Sequence, residues 1–151
     1  MINAQDILTK LRPVSAERSE DVGDILQYAI PWAALLATAL TGERRGAWLW
    51  LYSGAATTIL TLLLKLLFNF TPLGKRPNGA DYAFPSGHTS SAFMGAAFIH
   101  FYFGLGWAVL PYLLAVFTGY SRIWAKKHHL RDIIAGATLA FVISLYFVRI
   151  F

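Results

Sequence analysis

The sequence predicts an all-α protein, a polytopic membrane helical bundle with about five transmembrane helices and an N-terminal surface segment. Of its 151 residues, 56% are hydrophobic and only 14% are charged, whereas soluble domains carry about 25% charged residues. The hydrophobic residues also fall into long uncharged stretches, and a helix needs roughly 20 such residues to cross a bilayer. Composition and the length of these stretches together predict a membrane fold.

The first 24 residues differ from the rest of the chain. They contain five acidic and three basic residues and only a weak apolar face. We therefore expect residues 1–24 to form a surface or amphipathic tail and residues 25–151 to form the membrane domain. The segment does not have the charged start, short apolar core and cleavage site of a signal peptide.

Five spans are predicted in the membrane domain, separated by short polar turns. They are residues 25–41, residues 47–68, the two halves of 89–121 divided at Gly104 and Gly106, and residues 133–151. In this topology the loops 69–88 and 122–131 emerge at the same membrane face as the tail. Their polar side chains can therefore converge.

Basic residues collect in these two loops. Between residues 69 and 132 the only acids are Asp81 and Asp132, against six bases: Lys75, Arg76, Arg122, Lys126, Lys127 and Arg131. Such an excess predicts a polyanionic ligand, although Lys126 and Lys127 could equally be anchors for lipid headgroups. Arg76 and Arg122 stand where helix and loop meet, and the planar guanidinium suits phosphate oxygens.

The net charge of +5 does not indicate a nucleic-acid partner, because a polytopic membrane chain uses basic residues for topology and for anionic lipids. The chain has no cysteine, which excludes thiol nucleophiles and cysteine-ligated zinc.

The stretch PSGH, residues 85–88, opens the third span. Ser86 can cap the helix, and the backbone amides that follow make a site for an anion. Gly87 lets the backbone approach a ligand, and His88 lies where it can donate a proton.

The stretch SRIWAKKHHLRD, residues 121–132, contains two adjacent histidines. His128 and Asp132 are four residues apart, so one helical turn brings the carboxylate beneath the imidazole. A carboxylate that holds one ring nitrogen leaves the other free as a nucleophile or base. His129 is three residues from Asp132, and helix geometry alone leaves both histidines open.

Three motifs occur in order over residues 65–132: RP at 76–77, PSGH at 85–88, and SR, five residues, His, three residues and Asp at 121–132. Together they resemble the three-part signature of the type 2 phosphatidic acid phosphatase superfamily. The resemblance implies a membrane lipid-phosphate phosphatase that cleaves a phosphomonoester or pyrophosphate through a phosphohistidine, with no metal or other cofactor.

The resemblance also implies the role of each matching residue. His128 would be the nucleophile, oriented by Asp132, and His88 would be the general acid that later activates water. The phosphate-binding residues would be Arg76, Arg122, Ser86 and Gly87.

The chain departs from the family pattern at two points. The family has a lysine seven positions before the arginine of the first motif, and here that position is Asn69. Lys65 lies four residues earlier, within a predicted helix, and is our first candidate for the counterpart of that lysine. A charged ammonium group in an apolar segment usually has a function. Lys75 is the alternative candidate. Members of the family also commonly have six spanning helices, whereas five are predicted here. Because of this difference, we do not carry an oligomeric state over from the family.

Other functions remain open at this point. A phosphotransferase would pass the phosphoryl group to another lipid, and a non-catalytic phospholipid-binding or transport protein would need neither histidine. A metal site made from His88, His128, His129 and Asp132 is a further alternative. The substrate could be phosphatidic acid, phosphatidylglycerophosphate, undecaprenyl pyrophosphate or a lipid A phosphate. By resemblance we expect a bacterial inner-membrane protein whose site faces the periplasm.

Overall fold

The structure, a computed structural model, describes the backbone of residues 4–151 and the side chains of residues 15–151. Five α-helices account for most of it: α1 (Ala4–Leu40), α2 (Arg44–Phe68), α3 (Gly87–Phe103), α4 (Leu105–Trp124) and α5 (Leu130–Leu145). A 3-10 turn, Pro72–Gly74, lies in the loop after α2, and a π-helical turn, Tyr146–Ile150, continues α5. The predicted all-α fold with five helices is confirmed, and the described part of the chain contains no strand.

Among the described residues, three helical stretches have the length and apolar character to cross a membrane: Ser15–Leu40, Arg44–Phe68 and Leu130–Ile150. Helix α3 is shorter, with 17 residues, and is packed against all four other helices. Most of the residues from Thr89 to Ile99 are buried. The other helices therefore surround α3 and fix the position of its N-terminus.

Helices α3 and α4, which the sequence predicted as two short spans, are separated by Gly104. Its φ of 104° lies in a region that L side chains rarely adopt, and this backbone turns the chain from α3 into α4. Gly106 lies inside α4 rather than in the turn. The predicted hairpin is thus present, with Gly104 as its pivot.

Helix α1 runs without a break from Ala4 to Leu40. The proposed boundary between residues 24 and 25 falls inside this helix, and the division into a tail and a membrane domain stays a prediction. The side chains of residues 1–14, on which an amphipathic face would depend, lie outside the described residues.

Small residues allow two contacts that position the site. At Gly95 of α3, an added Cβ would lie 2.5 Å from the backbone nitrogen of Pro31 in α1. At Gly136 of α5, it would lie 2.7 Å from the backbone oxygen of Ser86. Helices α1 and α5 therefore approach α3 as closely as their backbones permit.

Candidate active site

A polar cavity of about 340 Å³ lies at the end of the bundle where α3 begins. The lining residues are Glu20, Asp24, Lys65, Arg76, Gly87, His88, Arg122, Lys127 and His128. They come from α1, α2, α3, α4 and the two polar loops. The loops that the sequence placed on one face thus meet in a single cavity.

The PSGH stretch forms the start of α3, as the sequence predicted. Ser86 is the N-cap, and its Oγ accepts a hydrogen bond from the backbone amide of Thr89 at 3.5 Å. Ser86 is fully buried and is not among the cavity-lining residues, whereas Gly87 and His88 line the cavity. Ser86 therefore holds the helix terminus in place behind the two residues that face the cavity.

Arg122 lies at the end of α4 and is only 2% exposed. Its Nε donates to Ser121 Oγ at 3.2 Å, its Nη1 to Asp24 Oδ1 at 2.8 Å, and its Nη2 to the backbone oxygen of Glu20 at 2.6 Å. A buried guanidinium held at all three nitrogens is fixed in direction. Its charge is consequently available to the cavity without reorganisation.

Arg76 belongs to the loop after α2, in a tight turn closed by a hydrogen bond from the Gly79 amide to the Arg76 carbonyl at 3.0 Å. Its Nε is buried and has no hydrogen-bond partner among the described residues. A buried donor without a partner costs free energy, and Arg76 also lines the cavity, where an anion would offset its charge.

The two candidate lysines occupy different places. Lys65 lines the cavity, and its Nζ donates to the backbone oxygen of Tyr82 at 2.7 Å. Lys75 is exposed, pairs with Asp81 and is not among the cavity-lining residues. Asn69, at the family's lysine position, is buried and accepts the Tyr82 amide through Oδ1 at 3.0 Å. Asn69 and Lys65 therefore both hold the loop at Tyr82.

The two adjacent histidines have different environments. His128 lines the cavity, its side chain is 4% exposed, and its Nδ1 lies 3.5 Å from Oδ2 of the fully buried Asp132. That distance is too long for a good hydrogen bond. Oδ2 instead accepts the backbone amide of His129 at 2.8 Å. His129 is the N-cap residue of α5 and does not line the cavity.

The electrostatic environment keeps His128 neutral. Burial, assisted by the positive charges of Lys65 and Arg76, lowers the pKa of His128 from 6.5 to about 3. A hydrogen bond with the backbone of Ala83 acts in the opposite direction but is weaker. At neutral pH the ring therefore has a free electron pair, which a nucleophile requires.

Two acidic residues of the site were not singled out by the sequence. Asp24 Oδ1 lies 2.8 Å from Nε2 of His88, and Glu20 Oε1 lies 2.9 Å from Nζ of Lys127. Both belong to the segment that we assigned to the surface. Their spacing of four residues, which places them on one face of a helix, was the available signal.

The four residues of the alternative metal site are not arranged as a set of metal ligands. Across residues 15–151, no group of three or more His, Cys, Asp or Glu side chains is arranged to hold a metal ion. His88 instead contacts Asp24, and His128 contacts Asp132.

A second, larger cavity of about 650 Å³ adjoins the polar one. It lies between α1, α2 and α3 and is lined mainly by apolar residues, including Trp32, Trp50 and Ile59. It shares Lys65, Gly87 and His88 with the polar cavity. The apolar groove and the cationic cavity thus adjoin each other at these three residues.

Most of this chain is similar in sequence to known proteins. A family model described as the PAP2 superfamily matches residues 46–151. The chain is 28% identical to the lipid A 1-phosphatase of Porphyromonas gingivalis, over 94% of this chain and 34% of that protein. It is 30% identical to the undecaprenyl-diphosphatase BcrC of Bacillus subtilis, over 83% of this chain and 70% of that protein.

A third relative is the bacitracin transport permease protein BcrC of Bacillus licheniformis, 30% identical over 71% of this chain and 58% of that protein. The chain thus spans about a third of the lipid A phosphatase and just over half of this permease protein. No solved structure matches the chain.

Proposed function

The chain belongs to the PAP2 superfamily, and we propose that it is an integral membrane phosphatase that hydrolyses the phosphomonoester or pyrophosphate of a membrane lipid. The relatives that support this activity are named as a lipid A phosphatase and an undecaprenyl-diphosphatase. The family's phosphatase chemistry requires a nucleophile, a proton donor and cations within one cavity, and the candidate site brings such residues together.

The observation that carries the proposal is the unpartnered Nε of Arg76 in a cavity that also contains Arg122, His88 and His128. A phosphate dianion would supply the missing acceptor. It would also be held by guanidinium groups that suit its oxygens. Phosphoryl transfer depends mainly on such positioning and charge stabilisation.

In the first step, a ring nitrogen of neutral His128 attacks phosphorus and forms a P–N bond. The P–O bond to the lipid breaks, and its electron pair remains on the leaving oxygen. His88 gives that oxygen a proton, so the lipid leaves as an alcohol, or as a monophosphate when the substrate is a pyrophosphate. Asp132, in contact with the His128 ring, stabilises the positive charge that the ring acquires.

In the second step, water attacks the phosphohistidine. His88 accepts a proton from the water as the new P–O bond forms, and the P–N bond returns its electron pair to His128. Inorganic phosphate then leaves. Each turnover consumes one water molecule and restores both histidines to their starting protonation states.

Lys65 is the proposed counterpart of the family's lysine, supported by its place in the cavity wall. Gly87 would contribute at the helix terminus, and Ser86 would act by holding that terminus. Lys75 has less support because it pairs with Asp81 away from the cavity. The apolar groove would hold the lipid chain while the phosphate occupies the polar cavity.

We further propose a bacterial inner membrane as the location, with the site facing the periplasm. Bacterial relatives support the first part. The acidic segment before residue 25, easier to translocate, and the pair Arg44–Arg45 at the opposite face support the second. Reporters fused to each terminus would test this orientation.

The direct test measures phosphate release by the purified chain in detergent with a chelator present. The panel contains phosphatidic acid, phosphatidylglycerophosphate, undecaprenyl pyrophosphate and lipid A. Release from at least one lipid is expected. No release from any of them would contradict the proposal, and radiolabel that moves from a donor to a second lipid would indicate a phosphotransferase. Lipid binding without turnover would instead favour a transport role, as the name of the Bacillus licheniformis relative indicates for that protein.

A further inference from the structure

One oxygen atom of Asp24 joins two residues of the site. Oδ1 lies 2.8 Å from Nε2 of His88 and 2.8 Å from Nη1 of Arg122. These partners come from α3 and α4, and Asp24 comes from α1. A single carboxylate therefore links the residue proposed to move protons with a residue proposed to bind phosphate.

The position of Asp24 is fixed by the packing of its neighbours. At Gly23 an added Cβ would lie 2.2 Å from Ser121 Oγ, so only glycine lets α1 approach α4 this closely. One turn earlier, the backbone oxygen of Glu20 accepts Arg122 Nη2 at 2.6 Å. Asp24 thus directly follows a stretch of helix that is held against α4 at Glu20 and Gly23.

The geometry points to Asp24 as a positioning residue of the reaction, an inference that rests on the proposed function of the site. Asp24 accepts a hydrogen bond from Nε2–H of His88 and so fixes the tautomer of the ring. Nδ1 is then the nitrogen that gives a proton to the leaving oxygen and takes one from water. Asp24 itself touches no reacting atom and acts through His88.

The charges around His88 give Asp24 a second effect. The groups that share the cavity with His88 are Glu20 and Asp24 from α1, Lys65 from α2, Arg76 from the loop, Arg122 from α4, and Lys127 and His128 from the next loop. Most of them are cationic and oppose a protonated imidazole. Asp24 is the carboxylate in contact with the ring, so it favours the proton-bearing form that the first step consumes.

A competing explanation predicts the opposite kinetics. The Asp24 carboxylate could merely occupy the place in the cavity where a phosphate binds. In that case its removal would free Arg122 and His88 for the substrate, and KM would fall. A positioning residue instead affects kcat with little change in KM, because its contribution appears in the transition state.

The test compares the wild-type chain with Asp24→Asn and Asp24→Ala in the lipid phosphate assay. We expect kcat to fall at least about tenfold in both variants, since general acid–base catalysis contributes about 10²-fold or more. KM should change little, and the alkaline limb of the pH profile should move to lower pH. Asp21→Asn is the matched control, because Asp21 is exposed on the same helix and should leave kcat and the pH profile unchanged.

A double variant separates positioning from a general loss of structure. In the His88→Asn background, Asp24→Asn should cause little further loss, because residues that act through one another are not additive. An equal additional loss in that background would overturn the inference. So would a fall in KM, or an unchanged kcat in Asp24→Asn.

A measurement that needs no catalytic activity tests the role of Asp24 separately from the proposed function. In ¹⁵N-histidine-labelled protein at alkaline pH, the His88 ring should carry its proton on Nε2, with the His88→Asn spectrum used for assignment. In Asp24→Ala the Nε2 resonance should shift, because the hydrogen bond to the carboxylate is lost. A wild-type His88 protonated on Nδ1 would overturn the inference whatever the activity, whereas absence of phosphate release would contradict only the proposed function.

Discussion

The backbone amide of Ser86 donates to the backbone carbonyl of Asp132 at 2.9 Å. This bond ties the start of α3 to the first turn of α5, so the helix that presents His88 and the turn that follows His128 are joined directly. Nearby, Gly136 packs against the Ser86 carbonyl. The relative position of the two histidines therefore depends on this junction.

Gly136→Ala tests the junction. The new Cβ would lie 2.7 Å from Ser86 O and 2.9 Å from Ser90 Oγ, so α5 must move away from α3. We expect a lower melting temperature in detergent and a lower kcat. Gly106→Ala is the control, because a Cβ there meets nothing within 4 Å and α4 favours alanine. Equal behaviour of the two variants would show that the junction does not determine the geometry of the site.

Substitution of each adjacent histidine should have unequal effects. His128→Ala removes the proposed nucleophile and should lower kcat by about a thousandfold or more. His129→Ala should retain much of the activity, because His129 caps α5 through its backbone and does not line the cavity. Phosphate release by the two purified variants measures the difference, and substantial activity in His128→Ala would exclude a phosphohistidine at this position.

The two lysines provide a second matched pair. Lys65→Met removes a cavity-lining ammonium and should lower kcat/KM by about tenfold or more, as expected for the loss of one cation from a phosphoryl-transfer site. Lys75→Met breaks an exposed ion pair with Asp81 and should have a small effect. A larger loss in Lys75→Met than in Lys65→Met would reverse the assignment.

The pKa of His128 predicts how stability depends on pH. Its value is about 3 in the folded protein and 6.5 when unperturbed, so the unfolded chain binds more protons between these values. This residue therefore stabilises the fold fully above about pH 6.5, and the contribution is lost as the pH falls toward 3. Melting temperatures of the wild type should fall between pH 7 and pH 4 more steeply than those of His128→Asn. Parallel curves would mean that the ring is not buried in its neutral form.

Much of the fold could be predicted because it depends on local features. Uncharged stretches defined the helices, Gly104 marked the hairpin, and Ser86 marked the start of α3. The resemblance to the family's third motif favoured His128 over His129, and of the two only His128 lines the cavity. Its role as the nucleophile stays a prediction.

The contribution of α1 to the site could not be predicted in the same way. Asp24 lies 98 residues before Arg122 in the chain, and their contact depends on the packing of α1 against α4 at Gly23. The placement of Lys65 also depends on a distant contact, since its Nζ meets the backbone of Tyr82. The spacing of Glu20 and Asp24 places them on one face of a helix, but it does not indicate that this face packs against α4.

The apolar groove between α1, α2 and α3 determines how a lipid would reach the polar cavity. Because the groove lies beside α1 and α2, which both have the length and apolar character to cross a membrane, the proposed lipid substrate would enter sideways with its tails still in the leaflet. Encounter is then a two-dimensional process, and the rate should follow the mole fraction of substrate in a vesicle or micelle instead of its bulk concentration. Dilution with an inert detergent at constant total substrate would therefore slow the reaction, as in surface-dilution kinetics.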